Sequence, residues 1–406
     1  MAGFRFIDLF AGIGGFHQAM ASLGGECVLA SEIDKPAIEV YRANYGVDSG
    51  VNVRDVDEIG IPDFDVLCAG FPCQAFSKAG ARLGLRDKTR GTLFFEIVRI
   101  LQAKKPKWFI LENVRNIVSH DSGNTWRIIQ DSIRELGYRT TAGPLLLSPH
   151  QFGIPQTRER VIILGMHDPE MASAPLPVSF GGLLAKEDNS IYSVLDESEQ
   201  GYGITGYETQ VLEAWDEFYQ GISLKVIGFP VWADALNENP IPSGLPKWKT
   251  VFLEKNAELY RSSRAFIDSW LKKHNWLKDF TPTHRKFEWQ CGTKISTLWE
   301  GVIQMRPSGV RVKAPDCFQT LVAMVQVPII GRYRRRLSVK EAARLQCFPV
   351  DANPPFVPDG NEQQAYKQFG NAVNVEVIRQ AAMKLFECRQ GETGEPEEKN
   401  GVFAFC

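Results

Sequence analysis

Cys73 is the first residue of this sequence whose type and position could do chemistry. It lies in Gly70-Phe-Pro-Cys-Gln-Ala-Phe-Ser77, immediately after the fourth predicted strand, where Pro72 stiffens the turn that presents it. The thiolate is the nucleophilic form of cysteine, and an unperturbed thiol is only roughly a tenth ionised near pH 7.5. Cys68, just upstream, is expected to be inert packing. The pattern predicts one reactive cysteine at a strand end.

The segment that follows, Lys78–Gly91, is rich in glycine and in basic residues. Four of its cations could bind a phosphodiester when such a loop closes: Arg82, Arg86, Lys88 and Arg90. A solvated connector is the alternative interpretation.

A carboxylate and two arginines could assist the cysteine. Glu112 lies where a predicted strand ends, and a carboxylate there is costly to bury unless it is paired. Beside a nucleophile it could hydrogen-bond to a base edge and stabilise a protonated ring nitrogen. Gln156-Thr-Arg-Glu-Arg160 opens another predicted strand, and strand alternation puts Arg158 and Arg160 on one face. Taken singly, each of these is typical of a surface.

A glycine turn follows the first predicted strand, in Asp8-Leu-Phe-Ala-Gly-Ile-Gly-Gly-Phe16. Such a turn lets a ligand approach the backbone closely. Glu32, after the second strand, could accept hydrogen bonds from ribose hydroxyls, and Asp55, near the next strand end, could accept from an adenine amino group. The turn alone would suit NAD, FAD or simple packing equally well.

The elements that position these residues alternate along the first 170 residues. Apolar runs predict buried strands at Phe4–Leu9, Cys27–Ser31, Val66–Ala69, Trp108–Leu111 and Val161–Leu164. Helical patterns lie between them at Phe16–Leu23, Lys35–Tyr45, Thr92–Lys104 and Thr125–Leu136. The alternation predicts an α/β fold with a parallel sheet covered by helices on both faces. In such sheets ligands bind at the carboxyl ends of the strands.

Length and composition indicate two domains of an intracellular protein. The chain has 406 residues and a net charge of -2, so the overall charge does not indicate nucleic-acid binding. The segment Gly301–Leu345 alone carries about +7. Eight cysteines without a CxxC spacing argue against a zinc site or a disulfide framework. We expect a cytoplasmic protein with no metal and no membrane segment.

These motifs, in this order, resemble the DNA (cytosine-5)-methyltransferase family, especially its bacterial restriction–modification enzymes. The resemblance covers roughly residues 4–167 and 336–387. It rests on the glycine turn, Pro72-Cys73-Gln74, Glu112-Asn113-Val114, Gln156-Thr-Arg158-Glu-Arg160 and Gln368-Phe-Gly-Asn371-Ala-Val373.

The resemblance implies a Rossmann-like catalytic domain that binds S-adenosylmethionine. Phe10 would pack on the coenzyme's adenine, while Glu32 and Asp55 would accept from its ribose and amino group. The implied coenzyme pocket also contains Gly12, Ile13, Gly14, Ile33, Val56, Pro72, Asn371 and Val373.

It also implies a mechanism in which the cytosine is flipped out of the duplex. Cys73 would add to C6, and Glu112 would hold the N3 proton and the exocyclic amine. Arg158 would contact the pyrimidine O2, with Arg160 supporting it or Glu112.

A smaller, irregular target-recognition domain is implied for residues 170–335, inserted between catalytic segments 1–169 and 365–390. Residues 336–364 would connect the two domains, and residues 391–406 form an acidic tail. The candidate DNA contacts are Gln74, Ser77, Arg82, Arg90, Thr320, Arg332, Arg334, Arg335 and Arg336. Base-edge contacts are conceivable for Arg306, Arg311 and Lys313, while the Trp/Tyr-rich stretch 214–299 is expected to be core.

Two alternatives stay open at this point. One is a tRNA cytosine-5 methyltransferase on the same scaffold, against which the long recognition segment argues. The other is a catalytically silent DNA-binding relative, which would be expected to lose Cys73, Glu112 or the glycine turn. We expect a monomer that acts on double-stranded DNA. A cognate restriction endonuclease is compatible with the sequence, but not as a stable complex.

Overall fold

The computed structural model describes residues 3–72, 93–180, 189–225, 227–321 and 326–388. The chain folds as two compact units, one of Met1–Asn189 with Ala342–Cys406 and one of Ser190–Glu341. These limits differ at both ends from those of the predicted recognition domain, 170–335. Whether the second unit recognises the target stays a prediction.

The first unit is built on a seven-stranded sheet of order β2-β1-β3-β4-β8-β5, with β6 paired to β8. The strands up to β8 are β1 Phe4–Leu9, β2 Gly25–Ser31, β3 Val66–Gly70, β4 Trp108–Val114, β5 Tyr138–Thr140, β6 Leu145–Leu147, β7 Gln156–Thr157 and β8 Arg160–His167.

The described residues contain ten α-helices. They are α1 Gly15–Ser22, α2 Lys35–Tyr45, α3 Leu93–Lys104, α4 Asn124–Glu135, α5 Gly206–Gly221, α6 Lys247–Ser262, α7 Arg264–Lys273, α8 Val339–Leu345, α9 Glu362–Asn371 and α10 Val375–Glu387.

Helices cover both faces of this sheet because successive side chains of a strand point to opposite sides. Ile7 and Leu9 of β1 share a buried cluster with residues of α3 and α4. Phe4, on the other face of β1, packs edge-on against Phe386 of α10, with ring centroids 5.2 Å apart. The predicted elements of this unit are therefore present, with ends shifted by a few residues at most.

The sheet is not wholly parallel, which corrects the prediction. β1 to β4 pair in parallel, but β8 runs antiparallel to both β4 and β5. A parallel connection needs a crossover of a dozen or more residues, usually helical. Between β5 and β8 the structure has only short strands and the 3-10 turn Pro149–Phe152. The missing crossover helix was the signal for an antiparallel strand.

The count of strands before the cysteine is also corrected. Val53–Asp55 is a 3-10 turn, so β3 is the third strand and Asp55 does not follow a strand. Asn52 accepts a hydrogen bond from Arg54 N at 3.1 Å, which favours a turn here over an extended conformation.

The second unit places helices before strands, in agreement with the lack of alternation in its sequence. After α5, α6 and α7 comes most of a six-stranded sheet, of order β15-β14-β11-β12-β10-β9. The strands after β8 are β9 Val231–Trp232, β10 Lys286–Gln290, β11 Val302–Arg306, β12 Gly309–Lys313, β13 Phe318–Gln319, β14 Ile329–Ile330 and β15 Arg335–Arg336.

Much of the aromatic stretch 214–299 lies in the core of this unit, as predicted, although Trp248 and Trp276 are exposed. Trp215 and Trp270 are buried, and Trp215 stacks on Phe287 with ring centroids 5.0 Å apart. Within the described ranges, no helix combines the length and the apolar character needed to span a bilayer.

Candidate active site

The glycine turn after β1 has a backbone that favours glycine. Phe10, Gly12 and Gly14 have φ angles of 56°, 54° and 87°. A Cβ on Gly14 would lie 2.2 Å from a ring carbon of Tyr45, so a side chain there is excluded. Gly14 is thus packed against Tyr45, whereas Gly12 is only partly buried and has open space where a Cβ would lie, so a ligand can approach the backbone there.

Glu32 ties this turn to the end of β2. Its Oε2 accepts from Gly12 N at 2.8 Å, and its Oε1 accepts from Ile33 N at 2.7 Å and Asp34 N at 2.9 Å. A carboxylate offers about four acceptor positions, so capacity remains for a hydroxyl donor. The arrangement fits the ribose contact expected of Glu32.

The chain's late segment returns to the strand ends. A Cβ on Gly15 would lie 2.7 Å from Val373 Cγ2, and one on Gly70 would lie 3.5 Å from Val373 Cγ1. Asn374 holds this position because its Oδ1 accepts from Val377 N at 3.1 Å and so caps α10. The structure thereby brings Val373 to the glycine turn and to the end of β3.

The remaining predicted coenzyme residues differ in exposure. Ile33 is 71% exposed, which is unusual for a large apolar side chain. Glu32 N donates to Ser49 O at 2.7 Å, so the segment leading to Asp55 starts beside the end of β2. Of the others, three are exposed, namely Asp55, Pro72 and Asn371. The remaining two, Ile13 and Val56, are buried.

Glu112 forms a half-shielded ion pair at the end of β4. Its Oε1 lies 2.9 Å from Arg160 Nε, and the two side chains are 12% and 18% exposed. Burial raises the pKa of Glu112, while the nearby charges of Arg160 and Arg158 oppose the rise. The carboxyl group therefore holds a proton more readily than an exposed glutamate does.

Arg158 has a different environment from the one expected. It is 2% exposed, and its Nη1 and Nη2 donate to the carbonyl oxygens of Gly370 at 3.0 Å and Ala372 at 2.8 Å. Burial, and then Arg160, lowers the pKa of Arg158 to about 9, so it stays charged at neutral pH. Contact with the pyrimidine O2 stays a prediction, and the two hydrogen bonds add a role for Arg158 in holding the returning chain segment.

Glu112, Arg158, Arg160 and Val373 line one pocket. Gly70, the last residue of β3, is the register partner of Glu112, so β3 ends beside Glu112 and three residues before Cys73 in the sequence. Five predicted site residues lie outside the described residues, namely Cys73, Gln74, Ser77, Arg82 and Arg90.

Asn113 was given no role by the sequence reasoning. It is 2% exposed, and its Nδ2 donates to Phe71 O at 2.8 Å, which anchors the backbone two residues before Cys73. A polar side chain at the end of an otherwise apolar strand was the available signal.

A family model described as C-5 cytosine-specific DNA methylase matches residues 4–387 of this chain. The chain belongs to this family. The protein is a DNA (cytosine-5) methyltransferase, in agreement with the sequence-based expectation.

Curated relatives match this methyltransferase over nearly its whole length. Type II methyltransferase M.NlaX of Neisseria lactamica is 43% identical over 394 residues, covering 94% of this chain and 96% of the relative. Type II methyltransferase M.AluI of Cellulosimicrobium cellulans is 33% identical over 485 residues, covering 93% and 91%.

Solved structures share the fold of the methyltransferase. A Spodoptera frugiperda DNMT2 mutant has a TM-score of 0.52 at 18% identity, covering 95% of this chain and 100% of that one. A putative DNA modification methyltransferase encoded within an E. coli prophage has a TM-score of 0.52 at 19% identity, covering 94% and 98%. The mixed α/β architecture is the one expected of a Rossmann-like methyltransferase.

The arginine-rich segment near the end of the methyltransferase's second unit is largely paired with carboxylates. Arg334 lies 3.2 Å from Glu213, and Arg336 pairs with Glu208. Arg335 is 5% exposed and donates from Nη2 to Glu341 Oε1 at 2.7 Å and from Nη1 to Oε2 at 2.9 Å. Arg335 is therefore removed from the candidate phosphate contacts, because a buried paired guanidinium is not available to DNA.

Two members of that segment remain exposed, Arg332 and Arg334. Thr320, another candidate DNA contact, is half-buried next to β13. Among the described residues, no group of three or more His, Cys, Asp or Glu side chains could hold a metal ion.

Proposed function

We propose that this methyltransferase transfers a methyl group from S-adenosylmethionine to C5 of a flipped-out cytosine in a short duplex DNA sequence. The observation that carries the proposal is Glu112, a mostly shielded carboxyl group that is paired with Arg160 and is the register partner of Gly70, three residues before Cys73. A titratable group that is perturbed by burial and paired with a specific charge is typical of a functional site.

The coenzyme site that we propose is the glycine turn with Glu32 and Val373. Gly12 has open space where a Cβ would lie, and Glu32 retains acceptor capacity after its three backbone hydrogen bonds. When bound there, the coenzyme supplies an electrophilic methyl group on a sulfonium.

Cys73 is assigned as the nucleophile because C5 of cytosine is itself poorly nucleophilic. Addition of the thiolate to C6 forms an S–C6 bond and makes C5 an enamine-like carbon. Glu112 donates to N3 and stabilises the charge that develops on the ring. After C5 has gained the methyl group, its proton leaves to water and the S–C6 bond breaks, which regenerates the thiolate, and N3 returns its proton to Glu112.

Arg160 positions Glu112 in this scheme, and Arg158 holds the segment 370–372 that carries Val373 into the site. The chemistry requires access to both faces of the pyrimidine ring, so the base must leave the duplex stack. The unit Ser190–Glu341 is proposed as the target-recognition domain, since the catalytic candidates lie in the other unit.

Duplex DNA is favoured over tRNA by the description of the matching family model. The type II relatives, matched over most of their length, support a place in a restriction–modification system. A catalytically silent role is disfavoured because the glycine turn, Cys73 and Glu112 are all retained.

Trapping on 5-fluorocytosine tests the covalent step. Wild-type protein with S-adenosylmethionine and a 5-fluorocytosine duplex should form a stable protein–DNA adduct at Cys73, because fluorine cannot leave as a proton does. Cys73→Ser should form none and should lose nearly all turnover, since the hydroxyl is far less ionised than the thiol. Cys68→Ala is the control and should still form the adduct. Turnover by Cys73→Ser within tenfold of wild type would exclude the mechanism.

A further inference from the structure

The sheet of the unit Ser190–Glu341 has one apolar and one polar face. On the apolar face, Phe287, Ile303, Val310 and Val312 belong to the buried core of the unit. Because strand side chains alternate, the residues between them point to the opposite side. That opposite side of β10, β11 and β12 is called the polar face below.

Strand register defines which side chains are neighbours on the polar face. Gln304 of β11 is the partner of Arg311 of β12, and Arg311 is the partner of Glu288 of β10. One step along β12, Lys313 is the partner of Gln290. Arg306 ends β11 at the hairpin turn. Amides and cations therefore form a contiguous array of hydrogen-bonding groups.

The charges of this array do not balance. Glu288 Oε2 accepts from Arg311 Nε at 2.6 Å and lies 2.5 Å from Arg311 Nη2, so Arg311 neutralises it. Within the described part of the chain, neither Arg306 nor Lys313 forms an ion pair with a carboxylate. There, Arg306 Nη1 is also buried without a hydrogen-bond acceptor. Burial, followed by Arg311 and Arg306, lowers the pKa of Lys313.

The polar face continues into a pocket of about 470 Å³. Gln290, Lys313 and Gln319 contribute polar side chains to its lining, together with Lys294 and Asp316, which neutralise one another at 2.5 Å. Two cations without a carboxylate partner among the described residues, Arg306 and Lys313, thus lie on a half-buried surface that ends in a concave pocket. By contrast, Arg334, Arg335 and Arg336 already have carboxylate partners.

We propose that the polar face reads base edges of the target DNA, with Arg306 and Lys313 each donating to a guanine. This inference rests on the proposed function and deepens it. Guanine presents two acceptors, O6 and N7, in the major groove, and arginine and lysine are their usual partners. A polyanion rich in acceptors also relieves the repulsion between Arg306 and Lys313, the two cations without a carboxylate partner among the described residues.

The spacing of the two cations sets the scale of the site. Arg306 is the register partner of Gly309, and Lys313 lies four residues further along β12. At about 3.3 Å per residue, the backbone positions of Gly309 and Lys313 are roughly 13 Å apart along β12. That length is close to four stacked base pairs at about 3.4 Å each. The guanines contacted by Arg306 and Lys313 should therefore lie within one short target sequence.

Selection of bound duplexes from a random library tests the proposal without depending on methyl transfer. Wild-type protein should enrich one short motif. Arg306→Gln and Lys313→Gln should each lower the preference for one guanine of that motif by about 10- to 100-fold. Lys272→Gln removes the same charge from the exposed side of α7 in the same unit, and should enrich the wild-type motif.

Conservative variants separate base reading from unfolding. Lys313→Arg retains charge and donors and should keep the guanine preference, whereas a general loss of folding would lower the melting temperature of both Gln variants. The proposal would be overturned if both Gln variants folded and still enriched the wild-type motif. It would also be overturned if the wild-type protein enriched no motif. A selected motif without 5-methylcytosine formation would instead contradict the proposed function and leave the reading face supported.

Discussion

Arg160 reaches diagonally across two antiparallel strands to Glu112. The register partner of Arg160 is Val114, two residues beyond Glu112 on the same face of β4, yet Arg160 Nε lies 2.9 Å from Glu112 Oε1. Diagonal neighbours in an antiparallel pair are within reach of long side chains. The contact holds the carboxylate in one place without cancelling the effect of burial, which still raises its pKa. An otherwise awkward buried carboxyl group is thus kept available for proton donation.

Glu112→Gln should slow the chemical step by about 100-fold or more, because the amide keeps the shape but cannot share a proton with N3. Single-turnover methylation measures that step, and DNA affinity should change much less. Glu135→Gln, at the exposed end of α4, is the matched control. An unchanged single-turnover rate would remove Glu112 from the mechanism.

Arg158→Lys should destabilise the fold by about 2 kcal/mol, because lysine cannot satisfy the carbonyls of Gly370 and Ala372 together and a buried acceptor is left unpaired. Chemical denaturation measures the free energy of unfolding, and coenzyme affinity should fall with it because Val373 is attached to the same segment. If stability were intact and only the chemical step were lost, the predicted contact with the pyrimidine, rather than the hold on the returning segment, would be the main role of Arg158.

His17 should make stability depend on pH. Burial lowers the pKa of His17 to about 4, against an ordinary value of 6.5, so the folded state disfavours its protonation. Between these values the unfolded chain binds the proton and the folded chain does not, so stability falls as the pH drops from 6.5 towards 4. The loss is about 3 kcal/mol at most.

His17→Gln isolates this contribution. The difference in unfolding free energy between wild type and variant should shrink as the pH falls through that window, since both proteins share all other titrations. Parallel stability curves for the two proteins would show that His17 binds its proton equally in both states.

The double change Arg332→Ala and Arg334→Ala tests what remains of the predicted phosphate contacts. If both exposed arginines bind phosphates, the slope of log affinity against log salt should flatten by about 0.9 per contact, on any duplex. Arg261→Ala, exposed on α6 of the same unit, should leave the slope unchanged. An equal slope in wild type and double variant would place these arginines away from the DNA.

Much of the catalytic unit could be predicted from sequence because its signals are local. Apolar runs separated by helical patterns depend only on the period of each element, and β1, β3 and β4 lie where those patterns predicted strands. The residue types at the strand ends, Glu32 and Glu112 among them, were likewise visible, since the carboxyl ends of parallel strands meet at one edge.

The direction of β8 and the partners of the arginines were decided by tertiary structure. The repeat of a strand is the same in either direction, so the apolar run alone did not say that β8 is antiparallel. The types of Arg158, Arg160 and Arg335 were equally plain in the sequence. Which one pairs with Glu112, which binds carbonyls and which is buried against Glu341 depends on residues far along the chain or across a strand pair.

The sequence by itself determined which reactive and charged side chains this methyltransferase contains and which strands and helices carry them, because composition and periodicity are properties of short segments. Only the tertiary structure decided which charged side chains are already neutralised by a partner. A cation neutralised by a distant carboxylate, such as Arg336 by Glu208, and one left without a partner among the described residues, such as Lys313, look alike in a sequence. Electrostatic energy depends on separation and burial, and both are set by the packed fold.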